Sequence, residues 1–218
     1  MAESVFLQRL QSHAIWLKSR GLCGVRLDLS ECGAIGARLQ GAVLVGASLR
    51  GVDLRQADLS GANFSGADLR NTDLRFAELE EADFSVAILR DTLFRGANLH
   101  YANLHKAQLC MADLRYACLV GVNLCGAELM GAQLERVDMT QAKLCGADLG
   151  GADLRGANLC GTDFTRANLR GAALGGATVD HDTNFVGARA DAGTFAAVDV
   201  ASLRQSYLPP CLQLASRS

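Results

Sequence analysis

The chain has 218 residues and almost no net charge: 21 Lys and Arg against 23 Asp and Glu leave −2. That balance argues neither for a basic nucleic-acid surface nor for a strongly acidic one. No apolar run approaches the length of a membrane span. The first residues, Met1 to Gln11, contain Glu3 and lack a basic segment followed by an apolar one, so no secretory signal is read. A soluble, cytoplasmic protein is the expectation. No CxxC pair occurs among the eight cysteines, and no nucleophile is paired with a base. His100 and His105 fall on different sides of the repeat described below and have no evident catalytic partner. The expectation is therefore no enzyme, no cofactor and no metal. Only two prolines occur, together at Pro209 and Pro210.

What is present is a period of five. Between Leu27 and Leu174 every fifth residue is apolar, from Leu29 through Ala34 and Leu39 to Leu174. Of these thirty centres twenty-four are Leu, four are Phe (Phe64, Phe84, Phe94, Phe164), and the others are Met139 and Ala34. Two residues before each centre stand twenty-two Ala, three Val, three Thr, Leu27 and Cys32. A period of five fits neither the helical 3.6 nor the strand period of 2. A five-residue unit cannot bury its own apolar side chains, so stability must come from stacking. If each unit is one side of a coil, with the centre and the small residue two before it turned inward, four units make a twenty-residue coil. Parallel hydrogen bonding would then stack coils about 4.8 Å apart. Glycine recurs two residues after the centre, as at Gly41, Gly61, Gly126 and Gly156, where a corner needs positive φ. Periodicity alone sets neither the number of sides nor the hand.

Runs such as Ala57-Asp58-Leu59-Ser60-Gly61 and Ala152-Asp153-Leu154-Arg155-Gly156 resemble the pentapeptide repeat family, whose motif is A(D/N)Lxx. The resemblance covers about two thirds of the chain. It implies an all-β solenoid, a right-handed quadrilateral parallel β-helix, here of about eight coils.

Three segments follow. Residues 1–26 read as a capping helix and lead-in, with Phe6, Leu10, Ala14 and Leu17 as one apolar stripe and Arg20-Gly21 as its stop. His13 reads as a packing residue of this cap. The string His13-Ala14-Ile15-Trp16-Leu17 resembles the leaders of some bacterial family members. Residues 27–192 are the repeat domain, degraded between Cys23 and Gly36 as terminal repeats are. Within it the frame slips by one at Asp180 to Phe185, which predicts a bulge in the last coil. Residues 193–218 read as a second helix, Phe195 to Tyr207, ended by the prolines and followed by a tail. It reads as a cap rather than a dimer contact, so a monomer is the expectation.

Cys125 and Cys145, twenty apart, share one column with His105. Parallel side chains at ~4.8 Å exceed the ~3.8 Å Cβ separation of a disulfide, so reduced thiols are expected. Three ligands in a line suit tetrahedral zinc poorly.

Function then rests on outward residues. One face carries Asp53, Asp73, Leu93, Asp113, Gln133 and Asp153 before its centres, and Arg55, Arg75, Arg95, Arg115, Glu135 and Arg155 after them. The adjoining face carries Arg50, Arg70 and Arg90. The simplest reading is a solvated ladder in which the Asp column balances the Arg column. In the middle Leu93 and Ile88 replace the acidic residue, so Arg90 and Arg95 lose partners, and Phe76, Met111 and Tyr116 stand at corners. Arg among aromatic side chains is an interface composition. Arg70, Arg75, Phe76, Arg90, Leu93, Arg95, Arg115 and Tyr116 are thus the candidate partner-binding patch. The expected function is a non-enzymatic scaffold that binds another protein in a regulatory role. The family resemblance also implies an alternative, a DNA mimic that modulates DNA gyrase or another topoisomerase. The Leu centres, the charge of −2 and the Arg-lined faces disfavour it. Direct nucleic-acid binding is limited by the neighbouring Asp residues.

Overall fold

The computed structural model describes residues 3–30, 33–191, 193–195 and 198. The residue before each centre pairs in parallel with the residue twenty on, from Asp28 with Ser48 to Asn158 with Thr178. A twenty-residue register at five residues per side means four sides per coil. Face 1 holds the centres Leu54, Leu74, Phe94, Leu114, Leu134 and Leu154. Faces 2, 3 and 4 follow five, ten and fifteen residues later.

Each side makes one isolated bridge, and no strand forms among the described residues. The expected all-β solenoid is thus corrected in one respect. A corner every five residues leaves room for a single bridging residue, so the coils are joined by ladders one residue wide.

The hydrogen bonds of one repeat explain its composition. Leu99 donates its N–H to the Cys118 carbonyl at 2.8 Å, Asn98 to Ala77 at 3.0 Å, and the corner residue Tyr101 to Val120 at 3.0 Å. Ala102 closes the turn on the Leu99 carbonyl at 3.0 Å. That leaves the N–H of the residue after the centre. The Asp or Asn before the centre accepts it, as Asn98 Oδ1 does from His100 at 3.2 Å and Asp83 Oδ1 from Ser85 at 3.0 Å. A short acceptor two residues back is what Asp and Asn supply best, and it accounts for their place in the repeat.

The interior is layered. From Leu44 to Leu174 the centres are buried, with Ala, Val or Thr between them. Inward Thr72, Thr92 and Thr162 donate their hydroxyls to the carbonyls of Leu49, Leu69 and Met139 in the coil before, at 2.7, 2.8 and 2.9 Å. A buried hydroxyl is thereby satisfied, which is why Thr substitutes for Ala there. Phe64 stacks on Phe84 with ring centroids 4.6 Å apart, and Phe164 on Phe185 at 5.1 Å.

Helix α1 (Glu3–Lys18) lies at the N-terminal end. Its buried contact is His13, fully buried, flanked by half-buried Leu10 and Leu17, whereas Ala14 and Ile15 are exposed. The expected stripe through Ala14 is therefore rotated by one residue, because a polar contact fixes the helix. His13 Nδ1 accepts the N–H of Leu27 at 3.1 Å, and its ring stacks on Trp16. The buried Nε2 has no hydrogen-bond partner among the described residues. Burial lowers the His13 pKa below its usual 6.5, the Val45 backbone opposes this, and the charge of Arg26 adds to it.

A depressed histidine pKa means the unfolded chain binds the proton more readily. This contribution to stability is present above pH 6.5 and is lost as pH falls from there through the folded value. The forked carboxylates described below titrate lower, since their pKa values lie under 3.8. We expect the protection of the Leu27 amide against hydrogen exchange to drop between pH 7 and pH 5. The His13→Asn variant should lose that pH dependence while the amides of the central coils stay protected in both proteins. Equal pH dependence in the variant would rule out His13 as the cause.

The frame slip is present. Asp163 pairs with Asn184 and Asn168 with Arg189, a register of twenty-one. At the extra residue the Asp180 side chain takes over a backbone role, accepting the Gly161 N–H at 2.8 Å. Thr183 regains the inward position and donates to the Leu159 carbonyl at 3.0 Å. Phe195 sits in a turn and is buried edge-on against Phe185. Apart from Phe195 and Val198, the expected C-terminal helix lies outside the described residues. Among the described residues no helix is long and apolar enough to cross a membrane.

Candidate functional site

On face 1 four of the five Arg close on their own repeat. Arg75 donates Nε to Asp73 Oδ1 at 2.9 Å and Nη2 to Oδ2 at 2.6 Å. Arg115 clasps Asp113 the same way at 2.8 and 2.7 Å, and Arg55 clasps Asp53 at 2.9 and 2.8 Å. Arg155 holds Asp153 and reaches back to Glu135 Oε1 at 2.6 Å. On face 4 Arg70 clasps Asp68 at 2.9 and 2.6 Å. The neutralising carboxylate stands two residues before the Arg in the same coil. The expected balance between stacked columns is thus made chiefly inside each repeat, where a planar guanidinium meets a carboxylate in bidentate geometry. Arg forks hold the carboxyls of Asp53, Asp68 and Asp153 below the usual range against the opposing effect of burial. At Asp113 burial is the largest influence and pushes upward, yet the bonds from Arg115 and the charges of Arg115 and Arg95 outweigh it.

Arg95 breaks the series. Leu93, half-buried, stands where the acceptor should be, and no carboxylate lies within ion-pair distance of Arg95 among the described residues. Its guanidinium instead lies over the Tyr116 ring, 5.4 Å from the centroid. Arg136 approaches the same ring at 6.0 Å. Arg90, read as having lost its partner, is 3.8 Å from Glu128, so that expectation is corrected: its long side chain reaches a carboxylate two coils on. Phe76 and Tyr116 are 58% and 50% exposed.

The structure thus brings Arg75, Phe76, Leu93, Arg95, Arg115 and Tyr116 together on face 1 and its corner with face 2. Arg70 and Arg90 stand on face 4. Sequence reasoning missed Arg136, whose signal is that it fills a corner position usually held by Gly. A shallow groove of about 380 Å³ beside it is lined by Tyr116, Glu135, Arg136, Arg155, Gly156 and Gly175.

The corners carry a second signal. Of the ten corners from Asn71 to Tyr116, nine hold a side chain in left-handed conformation, Gly96 being the exception. Of the seven from Gly36 to Gly66 only Gln56 does, and of the twelve from Gly121 to Gly176 only Arg136, Gln141 and Arg166. A non-glycine residue in that conformation costs about 1 kcal/mol. Even β-branched Val86 adopts it, at φ 53°. Strain is concentrated at mid-rod, where the register of the coils on either side enforces it.

The cysteine column carries no comparable feature. Cys23, Cys110, Cys118, Cys125, Cys145 and Cys160 are free thiols. Cys145 donates to Asp163 Oδ2 at 3.0 Å. Burial first, then Asp163 and Cys125, push its pKa up to about 12. No group of three or more metal-ligating side chains assembles among the described residues.

The family model for pentapeptide repeats matches in eight copies, over residues 37–75, 77–115, 111–144 and 144–179. The chain belongs to the pentapeptide repeat family. Members form right-handed quadrilateral β-helices. Among solved structures this pentapeptide repeat protein is similar to HetL of the cyanobacterium Nostoc sp. strain PCC 7120, involved in heterocyst differentiation regulation. Identity is 29%, over 76% of this chain and 87% of that one, with a TM-score of 0.30. It is also similar to QnrB1, a plasmid-mediated fluoroquinolone resistance protein, at 20% identity over 76% and 92% of the two chains, with a TM-score of 0.51. The likeness to QnrB1 is one of fold. Rfr23 of the cyanobacterium Cyanothece 51142 is 28% identical over 65% and 89%, with a TM-score of 0.41. Comparison with curated proteins gives no match.

Proposed function

We propose that this pentapeptide repeat protein is a non-enzymatic cytoplasmic scaffold that binds another protein through the middle of its rod. The binding patch comprises Arg70, Arg75, Phe76, Arg90, Leu93, Arg95, Arg115 and Tyr116. The supporting observation is the concentration of strained, side-chain-bearing corners between Asn71 and Tyr116. Glycine would relieve that strain, so these corners carry side chains against a local backbone cost, and we assign the gain to what they present outward. Exposed aromatic rings next to an Arg without a paired carboxylate match the composition of interface centres.

A photo-reactive amino acid at position 76 or 116 tests this in cells, with position 143 on face 3 as control. One protein should be trapped from 76 and 116 and not from 143, and Arg95→Glu should reduce its yield. No adduct, or equal adducts from both faces, would remove the reading. The gyrase alternative has weaker support, because the forks leave face 1 without a run of uncompensated negative charge. Gyrase supercoiling should be unchanged by the protein.

A further inference from the structure

Resting on that reading, we infer that the segment of the partner seated on face 1 is acidic, and that its carboxylates are held by Arg95 and Arg136 on either side of Tyr116. The Arg residues of face 1 are not equivalent. Arg55, Arg75, Arg115 and Arg155 each have two nitrogens committed to a carboxylate of their own repeat. A second carboxylate arriving there meets a neutral pair. Arg95 and Arg136 have no such carboxylate and lie over the Tyr116 ring at 5.4 and 6.0 Å. A cation over a ring is attracted by the ring's face and spends no hydrogen bond on a carboxylate, so the guanidinium fork stays available to one.

The reason Arg95 is available is a single residue. Leu93 occupies the position that Asp53, Asp73, Asp113 and Asp153 hold in four other coils, so no fork forms and the Arg95 N–H loses its side-chain acceptor as well. Phe76 lies on the same corner, its ring packed over the Cα of Gly96, where an added Cβ would stand 2.7 Å from a ring carbon. Ring, guanidinium, ring and guanidinium therefore follow one another along the corner from Phe76 to Arg136. Positive charge bordered by apolar rings, with the surrounding charges already paired, complements an acidic peptide that also buries apolar surface. A nucleic acid would need a longer basic track than two unpaired Arg provide.

Leu93→Asp gives the most direct test, because it installs the fork already present in four other coils and should leave melting unchanged or raised. The probe is a fluorescein-labelled oligoglutamate, followed by anisotropy at low salt, with oligoglutamine and a single-stranded oligodeoxynucleotide as comparisons. Oligoglutamate should bind the wild-type protein, and salt should weaken the binding. Affinity should fall about tenfold or more in Leu93→Asp and in Arg136→Gln, and little in Lys143→Gln. The wild-type Tyr116 ring protons should shift on titration. Binding no tighter than oligoglutamine, or undiminished binding by folded Leu93→Asp, would overturn the inference. Tighter binding of the oligonucleotide would overturn it in favour of nucleic acid. A photo-adduct at position 116 without oligoglutamate binding would leave the scaffold reading standing and remove only the acidic partner. Loss of both would remove both.

Discussion

Leu99→Asp should abolish cooperative folding. Leu99 is fully buried on face 2 between Leu79 and Leu119 of the neighbouring coils. Its backbone is fixed by bonds to Cys118 and from Ala102. The carboxylate would have to be buried without a partner or protonated, or the coil opened, each at a cost of several kcal/mol. Domains of this kind are stable by roughly 5–15 kcal/mol, so one such site consumes much of the margin. Leu99→Ala removes the same contacts without adding charge and should cost about 2–5 kcal/mol through the cavity it leaves. The core and the backbone ladders join each coil only to its nearest neighbours, so the damage should divide the rod into two unequal parts. Circular dichroism melts combined with hydrogen exchange of the flanking coils would show this. An unchanged melting temperature for Leu99→Asp would mean that the side chain does not point inward.

The second large effect concerns a glycine. Gly121 adopts φ +66°, and a Cβ added there would stand 2.4 Å from two ring carbons of Tyr101 in the coil before. Gly146 has the same φ of +66° and nothing within 4 Å of the added atom. Gly146→Ala should therefore cost only the left-handed strain, about 1 kcal/mol. Gly121→Ala should cost about 1–3 kcal/mol more, because the Tyr101 ring must leave its resting place. Tyr101→Ala combined with Gly121→Ala should bring the loss back toward the Gly146→Ala value, a coupling that chemical denaturation of the four proteins would measure. Equal losses for the two single glycine variants would show that the ring swings away freely. Phe76 lies over Gly96 and Met111 over Gly131 in the same way.

The interior was legible in the sequence because every centre faces the same environment, so the period survives thirty repetitions without ambiguity. The number of sides was not, since a period of five describes one side and only the pairing of Asp53 with Asp73 counts how many sides make a coil. The Asp and Arg columns were legible as a balance but not as forks: Asp73 and Arg75 are neighbours both along the chain and across the coils, and composition does not choose between them. Arg90 illustrates the same limit, as its partner Glu128 is thirty-eight positions away. His13 was read as packing, whereas its hydrogen bond to Leu27 depends on how the helix meets the first coil, which no periodicity encodes. Gly96 and Gly121 share the left-handed corner conformation of Gly146, and only the rings lying over them set them apart.

The pairing of Arg55, Arg70, Arg75, Arg115 and Arg155 with a carboxylate two residues back has a consequence for how such a molecule can change over generations. Exchanging one residue, as Leu does at position 93, rewrites a single step of the outer wall and leaves the hydrogen bonds of the layers above and below as they were. Whole turns can be added or dropped for the same reason. An outer wall of this design can therefore change one residue at a time while the core and its backbone ladders stay as they are.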